Sequence, residues 1–328
     1  MRLWSFSGIF LFVCVSIVFS SNNIFGERQN WGVIEFDTIN EASGLVASIK
    51  NKGVFWTHND SGDRNRIYAF NSKGEHLQTY FLNKCKARDW EDIAIGPGPL
   101  LNEQYLYIGN IGDNKSIFTN KYIYRCKEPT LNQNIENKTQ TIYDCETINF
   151  QYEDGNRDAE VLMIDSKTKD IFIISKREES VHIYSLPYPQ NTKIKITANL
   201  IDVKDFYPDI DNEDLEMITA GEISSDGKKI LLKSYLDVFY FTRNHGESII
   251  ESLNNEIKQV HYIPEVQGEA ICWHPKGFGY FTISEEKMDV EAILYFYPKL
   301  EGCMDIKANN YNPYAVIDDI TCEYKKNK

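Results

Sequence analysis

Five oxygen-bearing side chains recur in one local context: Ser43, Glu91, Glu160, Thr219 and Glu269. Each opens a run with a small or apolar residue two and four places on, as in Ser43-Gly44-Leu45-Val46-Ala47. Successive members lie 48, 69, 59 and 50 residues apart. A strand has a side-chain period of two, so each oxygen shares a face with the residues that follow it. Five copies at such intervals indicate a repeat architecture in which the five oxygens meet. Three carboxylates and two hydroxyls aimed into one narrow channel repel unless protonated or neutralised. A hard cation does this: calcium takes six to eight oxygen ligands, and water completes the shell. No His/Cys cluster competes for a softer metal. The expected ligands are therefore Ser43, Glu91, Glu160, Thr219 and Glu269 on calcium. The plainer alternative is that these residues cap strand starts and hydrogen-bond to neighbouring repeats. Thr219 is placed by aligning Ser224-Ser225-Asp226-Gly227 with the turn Asp165-Ser166-Lys167; a slip would substitute Gly221 or Glu222.

A second layer follows the second strand of each repeat. It comprises His58-Asn59-Asp60-Ser61-Gly62-Asp63, Gly109-Asn110-Ile111-Gly112-Asp113-Asn114, Ser175-Lys176-Arg177, Lys233-Ser234 and Ser284-Glu285-Glu286. Acidic and amide groups here face basic ones at one mouth of the channel. That suits a small anionic ligand or a polysaccharide beside the metal, contacted by His58, Asn59, Asn110, Lys176, Arg177 and Lys233. Asp60 or Asp113 could then orient water as a general base. The alternative is again plain, since Asn-Asp-Ser-Gly-Asp is good turn chemistry. His58 has no serine elbow or cysteine partner, so a Ser/His/Asp triad has no support. A glycosidase with two carboxylates across a sugar stays open. No glycine-rich phosphate loop is present.

The elements that must position these groups read as β-strands separated by turn residues. Four strands fall at 43–48, 54–58, 66–70 and 76–82. Sets at 91–152, 160–203 and 219–262 repeat the pattern. The fifth set, 269–297, has three strands, and a lone strand at 32–36 could supply its fourth and hide the sheet edges. The expected fold is all-β: a five-bladed β-propeller over 28–299, closed by an N-terminal strand. A six-bladed propeller would need another blade in the acidic segment 205–216, and a sandwich with long loops is the third choice. Only 246–255 reads as a short helix.

Arg2, the apolar run 3–19 and Ser20-Ser21 read as a secretory signal peptide over 1–21, which places the chain outside the cell, in the periplasm or at the cell surface. No later stretch could span a membrane. Six cysteines remain, an even number that permits disulfides in an exported chain. Cys303–Cys322 would staple a small polar C-terminal module at 301–328, Cys126–Cys145 is a second candidate pair, and Cys272 reads as a buried thiol. A net charge of −13 argues against a nucleic-acid partner.

At the channel residues and the second layer the chain resembles the calcium-activated nucleotidases, or soluble apyrases. Their ligand order Ser, Glu, Glu, Ser, Glu is similar to Ser43, Glu91, Glu160, Thr219, Glu269. Their Asp-Asp-Arg-Thr-Gly resembles Asn59-Asp60-Ser61-Gly62-Asp63, and their Gly-Gly-Leu-Gly resembles Gly109-Asn110-Ile111-Gly112. Their Pro-Arg-Arg falls at Ser175-Lys176-Arg177, and their Leu-Lys-Ser at Leu232-Lys233-Ser234. The resemblance implies a five-bladed propeller with one channel calcium that hydrolyses nucleoside di- and triphosphates. The chain departs from it at Asn59 and in lacking a Trp-Val-Lys insertion. It also looks like secreted propellers labelled phytase- or esterase-like that carry Asn-Asp-Ser-Gly and Trp-Glu-Asp-Ile-Ala. The C-terminal module resembles Gly-Cys…Asn-Tyr-Asn-Pro…Asp-Asp…Cys units of other secreted proteins.

Overall fold

The computed structural model describes residues 24–132, 137–207, 217–287 and 290–325. The expected signal segment 1–21 lies outside the described residues, as do residues 208–216 of the acidic segment where a sixth blade would have had to lie. The regular structure among these residues is nearly all strand. After β1 (Gln29–Val33), a first group holds β2 (Ala42–Ala47), β3 (Val54–Asn59), β4 (Arg66–Asn71) and β5 (His76–Leu82). The second holds β6 (Asp92–Pro97), β7 (Gln104–Asn110), β8 (Lys121–Lys127), β9 (Thr139–Ile142) and β10 (Glu146–Tyr152). The third holds β11 (Ala159–Ile164), β12 (Ile171–Ser175), β13 (Val181–Leu186) and β14 (Ile196–Lys204). The fourth holds β15 (Ile218–Ile223), β16 (Lys229–Ser234), β17 (Val238–Thr242), the helix α1 (Ile249–Leu253) and β18 (Lys258–Val260). The fifth holds β19 (Gly268–Trp273), β20 (Gly279–Ser284) and β21 (Ile293–Pro298).

Within each group consecutive strands pair antiparallel, β9 excepted, as short turn-linked strands do. Two details differ from the sequence expectation. The stretch 141–152 is two strands, because Cys145 is tied to Cys126 and interrupts the run. β9 then adds parallel to β5, while β10 pairs with β8 and, in parallel, with β14, fusing the second and third groups into one eight-stranded sheet. The lone N-terminal strand starts three residues earlier than expected. It does supply the missing strand, since β1 pairs antiparallel with β21 and completes the order β1-β21-β20-β19. A register shift at Trp31 lets its indole pack on Phe281 and Phe296. Helix α1 is short and well started: Ser248 and Glu251 form a reciprocal capping box.

The first strands carry the architecture. β2 packs on β6, β6 on β11, β11 on β15, β15 on β19, and β19 on β2. Alternate residues of each strand face opposite neighbours, so every strand is apolar on both sides. Leu45 joins Phe55, Cys272 and Phe281 between the first and fifth groups, whereas Val46 joins Trp56, Ile93 and Leu106 between the first and second. Similar clusters fill the other three interfaces. Burial on both faces is why these strands read as near-continuous hydrophobic runs.

The C-terminal segment packs back on the last strand group through Tyr314 against Phe296. β22 (Glu301–Gly302) and β23 (Ile317–Asp318) pair in parallel, and Cys303–Cys322 closes it. Cys85 and Cys272 are buried free thiols. Among the described residues no helix is long and apolar enough to cross a membrane.

Candidate functional site

Period-two alternation alone would not deliver the five oxygens to the middle of the molecule. Four of them sit in β-bulges. The register between first and second strands shifts between Ala42 and Gly44, Ala159 and Val161, Ile218 and Ala220, and Gly268 and Ala270. The extra residues are Ser43, Glu160, Thr219 and Glu269; a bulge re-aims its side chain. Glu91 stands just before β6, where its N–H donates to Gly109 at 3.0 Å. The structure thus places Thr219 in register with Ser43, Glu160 and Glu269.

The hydroxyls and the carboxylates then part company. Ser43 Oγ donates to the Glu91 carbonyl at 2.7 Å, and Thr219 Oγ1 to the Gly268 carbonyl at 3.3 Å. Each ties its strand to the next group. Glu91, Glu160 and Glu269 instead line a cavity of about 540 Å³, together with Asp60, Lys176, Arg177 and Tyr235. Lys176 Nζ lies 2.9 Å from Glu160 Oε1 and 3.4 Å from Glu269 Oε1. Tyr235 donates its hydroxyl to Glu269 as well. Glu160 Oε2 is buried and has no hydrogen-bond partner.

Two acidic clusters share Glu91. Oxygens of Glu91, Asp158 and Glu160 lie within 4.8 Å of one another, as do those of Asp60, Asp89 and Glu91. Asp89 and Asp158 were not among the ligands expected from sequence. A signal was available: both stand two places before a channel glutamate, as Asp89-Trp90-Glu91 and Asp158-Ala159-Glu160. Met217 and Gln267 hold the same place before Thr219 and Glu269, and both line the cavity. Gly112 presses its backbone against this cluster. A Cβ there would stand 1.9 Å from Glu91 Oε1 and 2.6 Å from Asp89 Oδ2.

Burial and crowding of like charge govern protonation here. Glu91 is pushed well above the usual carboxylate range by burial, then by Glu160, Asp60 and Asp89. Burial lifts Glu160 to about 7 against the pull of Lys176. Asp60 rises to about 7 through burial and the charges of Glu269 and Asp89. Burial would raise Glu269 too, but Lys176 and the Tyr235 hydroxyl outweigh it and hold it low. Glu285 climbs to about 9 through burial and the neighbouring Glu269.

The other expected contacts are built into the scaffold and do not line the cavity. His58 is buried, brought down to about 4 by desolvation, and its Nδ1 is 2.9 Å from the Asn59 carbonyl. Asn59 Nδ2 donates to the Thr38 carbonyl at 2.6 Å and Asp63 at 3.1 Å. Asn110 accepts from the Asp89 N–H at 3.1 Å and donates to the Lys86 carbonyl at 2.9 Å, fixing the Asp89 loop. Asp113 accepts from the N–H groups of Ile117 and Phe118 and from Lys121 at 3.1 Å. Those bonds overcome its burial and hold its carboxyl low. Lys233 is fully buried, donates to the carbonyls of Ser234 and Gly268, and stacks over Tyr262. Burial brings its ammonium down to about 8. Of the residues read as catalytic or ligand-contacting, Asp60, Lys176 and Arg177 share the cavity with the three glutamates.

No protein-family model matches the chain, and no curated protein matches its sequence.

Proposed function

We propose that the five strand groups are the blades of a β-propeller closed by β1, that its axial cavity binds calcium, and that the chain is a secreted calcium-dependent hydrolase of a phosphate ester or anhydride. The cycle of packing from β2 through β19 supports the first part. The two disulfides suit an oxidising compartment. One observation carries the metal: Glu160 Oε2 is buried inside a carboxylate cluster where, among the described residues, the only neighbour that could donate to Glu160 beside Lys176 is another acid, Glu91. Buried polar atoms are almost always partnered, and an anionic oxygen left bare is costly. Two oxygens on one calcium at 2.3–2.6 Å stand no more than about 5 Å apart. Separations within 4.8 Å among Glu91, Asp158 and Glu160 fit that limit, and the donor set is all oxygen. Ser43 and Thr219 donate to carbonyls, so the carboxylates are the stronger candidates.

Calcium held there would supply the positive charge that polarises a phosphoryl oxygen. The chain's own groups do the rest. Of the cations on the cavity wall, Lys176 and Arg177 would meet phosphate oxygens once released from Glu160 and Asp158. Asp60 Oδ1 accepts from the Ser61 N–H at 2.5 Å, leaving Oδ2 to take a proton from water. With its pKa near 7 it suits that task at neutral pH. Water adds to phosphorus, the bond to the leaving oxygen breaks, and Asp60 holds the released proton. The test is phosphate release from ADP, UDP and a simple aryl phosphate, with calcium and with chelator. Activity lost in chelator and in Asp60→Asn supports the reading; intact substrates across the panel remove the hydrolase.

The closed bonding of Asp113 favours a second reading, in which the cavity binds an anionic sugar or surface polymer without chemistry. Calcium would then raise the thermal midpoint while every substrate stays intact.

A further inference from the structure

We propose that Lys176 is a tethered competitor for the cation site, so that a divalent cation enters by displacing its ammonium and thereby frees that ammonium for an anionic ligand. This rests on the calcium reading above. Lys176 closes β12, in the third group, yet its ammonium reaches the glutamate of the fifth. Its side chain is only 7% exposed, so the ion pairs with Glu160 and Glu269 are desolvated. A desolvated ammonium between two carboxylates is a strong internal counter-ion, and it cannot bind an external anion while so engaged.

The rest of the cavity is arranged around that exchange. Glu160 is split: Oε1 holds Lys176, Oε2 has no such partner, and one of its oxygens lies within 4.8 Å of oxygens of Glu91 and Asp158. A cation on the bare side would share Glu160 with Lys176, and like charges on one carboxylate repel. The lysine has somewhere to go. It lines the cavity wall, with the Tyr235 ring 5.4 Å from Nζ. The two other cations on the wall are already engaged, Arg177 with Asp158 at 2.5 Å and Lys287 with the Gln267 side chain. Asp158 belongs to the same acidic cluster, so a divalent cation would draw on the partners of both Arg177 and Lys176; Arg177 is 40% exposed, and Lys176 is the desolvated one of the two. The consequence is order of binding: cation first, then anion.

Calcium titration of the full chain by calorimetry tests this, comparing wild type, Lys176→Met and Lys176→Met with Glu160→Gln. Lys176→Met should bind calcium at least tenfold more tightly than wild type, and adding Glu160→Gln should reverse the gain. Calcium should raise inorganic phosphate binding in wild type and have no such effect in Lys176→Met. If Lys176→Met is too unstable for calorimetry, its thermal midpoint in calcium against chelator reads the same competition, and the calcium-induced rise should exceed that of wild type. Wild type binding calcium with Lys176→Met equal or weaker would overturn the competitor and leave the calcium site standing. No calcium binding in either protein would overturn both.

Discussion

Buried acids occur in this molecule in two kinds, and their partners separate them. Asp165 joins the third and fourth groups: its oxygens receive Arg243 Nη1 at 2.9 and 3.0 Å, the Lys167 N–H at 3.0 Å and Thr168 Oγ1 at 3.1 Å. Glu128 likewise binds the second group to the first, accepting from Ser48, Trp56 and the Lys50 N–H. The cavity acids are as buried but unevenly satisfied: Asp158 takes the Asp113 N–H and Arg177, Glu269 takes Lys176 and the Tyr235 hydroxyl, and Glu160 shares that lysine and keeps one oxygen unpartnered. Saturation marks an acid that holds the fold. A deficit marks one waiting for something from outside.

The contrast fails if the two kinds respond alike to mutation and to calcium. Arg243→Ala should give the largest loss, about 3–5 kcal/mol, because it leaves Asp165 buried without its counter-charge, held only by the Lys167 N–H and the Thr168 hydroxyl. Urea unfolding should show that loss to be the same with calcium and with chelator. Glu91→Gln with Glu160→Gln should do the reverse. Two crowded carboxylates are neutralised, so chelator-state stability should hold or rise, while calcium stabilisation disappears. At calcium a hundredfold above its dissociation constant, that stabilisation is about 2.7 kcal/mol. A double mutant that keeps its calcium-induced midpoint shift would place the cation elsewhere.

A third buried acid sharpens the comparison because it lies between the kinds. Glu222 reaches from β15 to accept the Trp273 N–H at 2.5 Å, and burial raises it from 4.5 to about 8. The folded protein therefore keeps this proton between pH 4.5 and 8, where the unfolded chain has lost it. Stability contributed by the group falls as pH rises through that window, by at most about 1.4 kcal/mol per unit. Glu222→Gln keeps an acceptor for Trp273 and removes the titration. Between pH 6 and 7.5 its stability should gain about 2 kcal/mol on wild type. Parallel stability–pH curves would show that Glu222 titrates normally.

Much of this was legible in the sequence. Strand positions, the N-terminal strand completing the last sheet, and both disulfides follow from turn residues, apolar alternation and cysteine count. The five oxygens were legible as a set, because their flanking residues repeat. What they do was less so. A bulge adds one residue without a composition mark, so the device that aims Ser43, Glu160, Thr219 and Glu269 was hidden. Nor does sequence distinguish a lysine at the mouth from one folded back between two glutamates. Lys176 and Lys233 both stand beside a serine that ends its strand, but Lys176 follows Ser175 whereas Lys233 precedes Ser234, and of the two only Lys176 enters the cavity. Lys233 is held by the Ser234 and Gly268 carbonyls instead. Asn59 and Asn110 looked like ligand contacts, and Asp113 like a base for water, because turn chemistry and site chemistry use the same residue types.

The smallest effect should come from Gly112, and it isolates geometry from charge. The residue carries no side chain, so Gly112→Ala leaves every ionisable group in place. The new methyl would fall on Glu91 Oε1 and crowd Asp89 Oδ2. Both are ends of side chains that can swing aside, so the fold should lose well under 1 kcal/mol. Glu91, however, is the carboxylate common to both acidic clusters. Moving its oxygen should weaken calcium binding about tenfold, or about 1.4 kcal/mol. Titration with calcium beside urea unfolding separates the two. If affinity is unchanged while stability drops, Gly112 only packs against the cluster and Glu91 is one more saturated acid of the Asp165 kind.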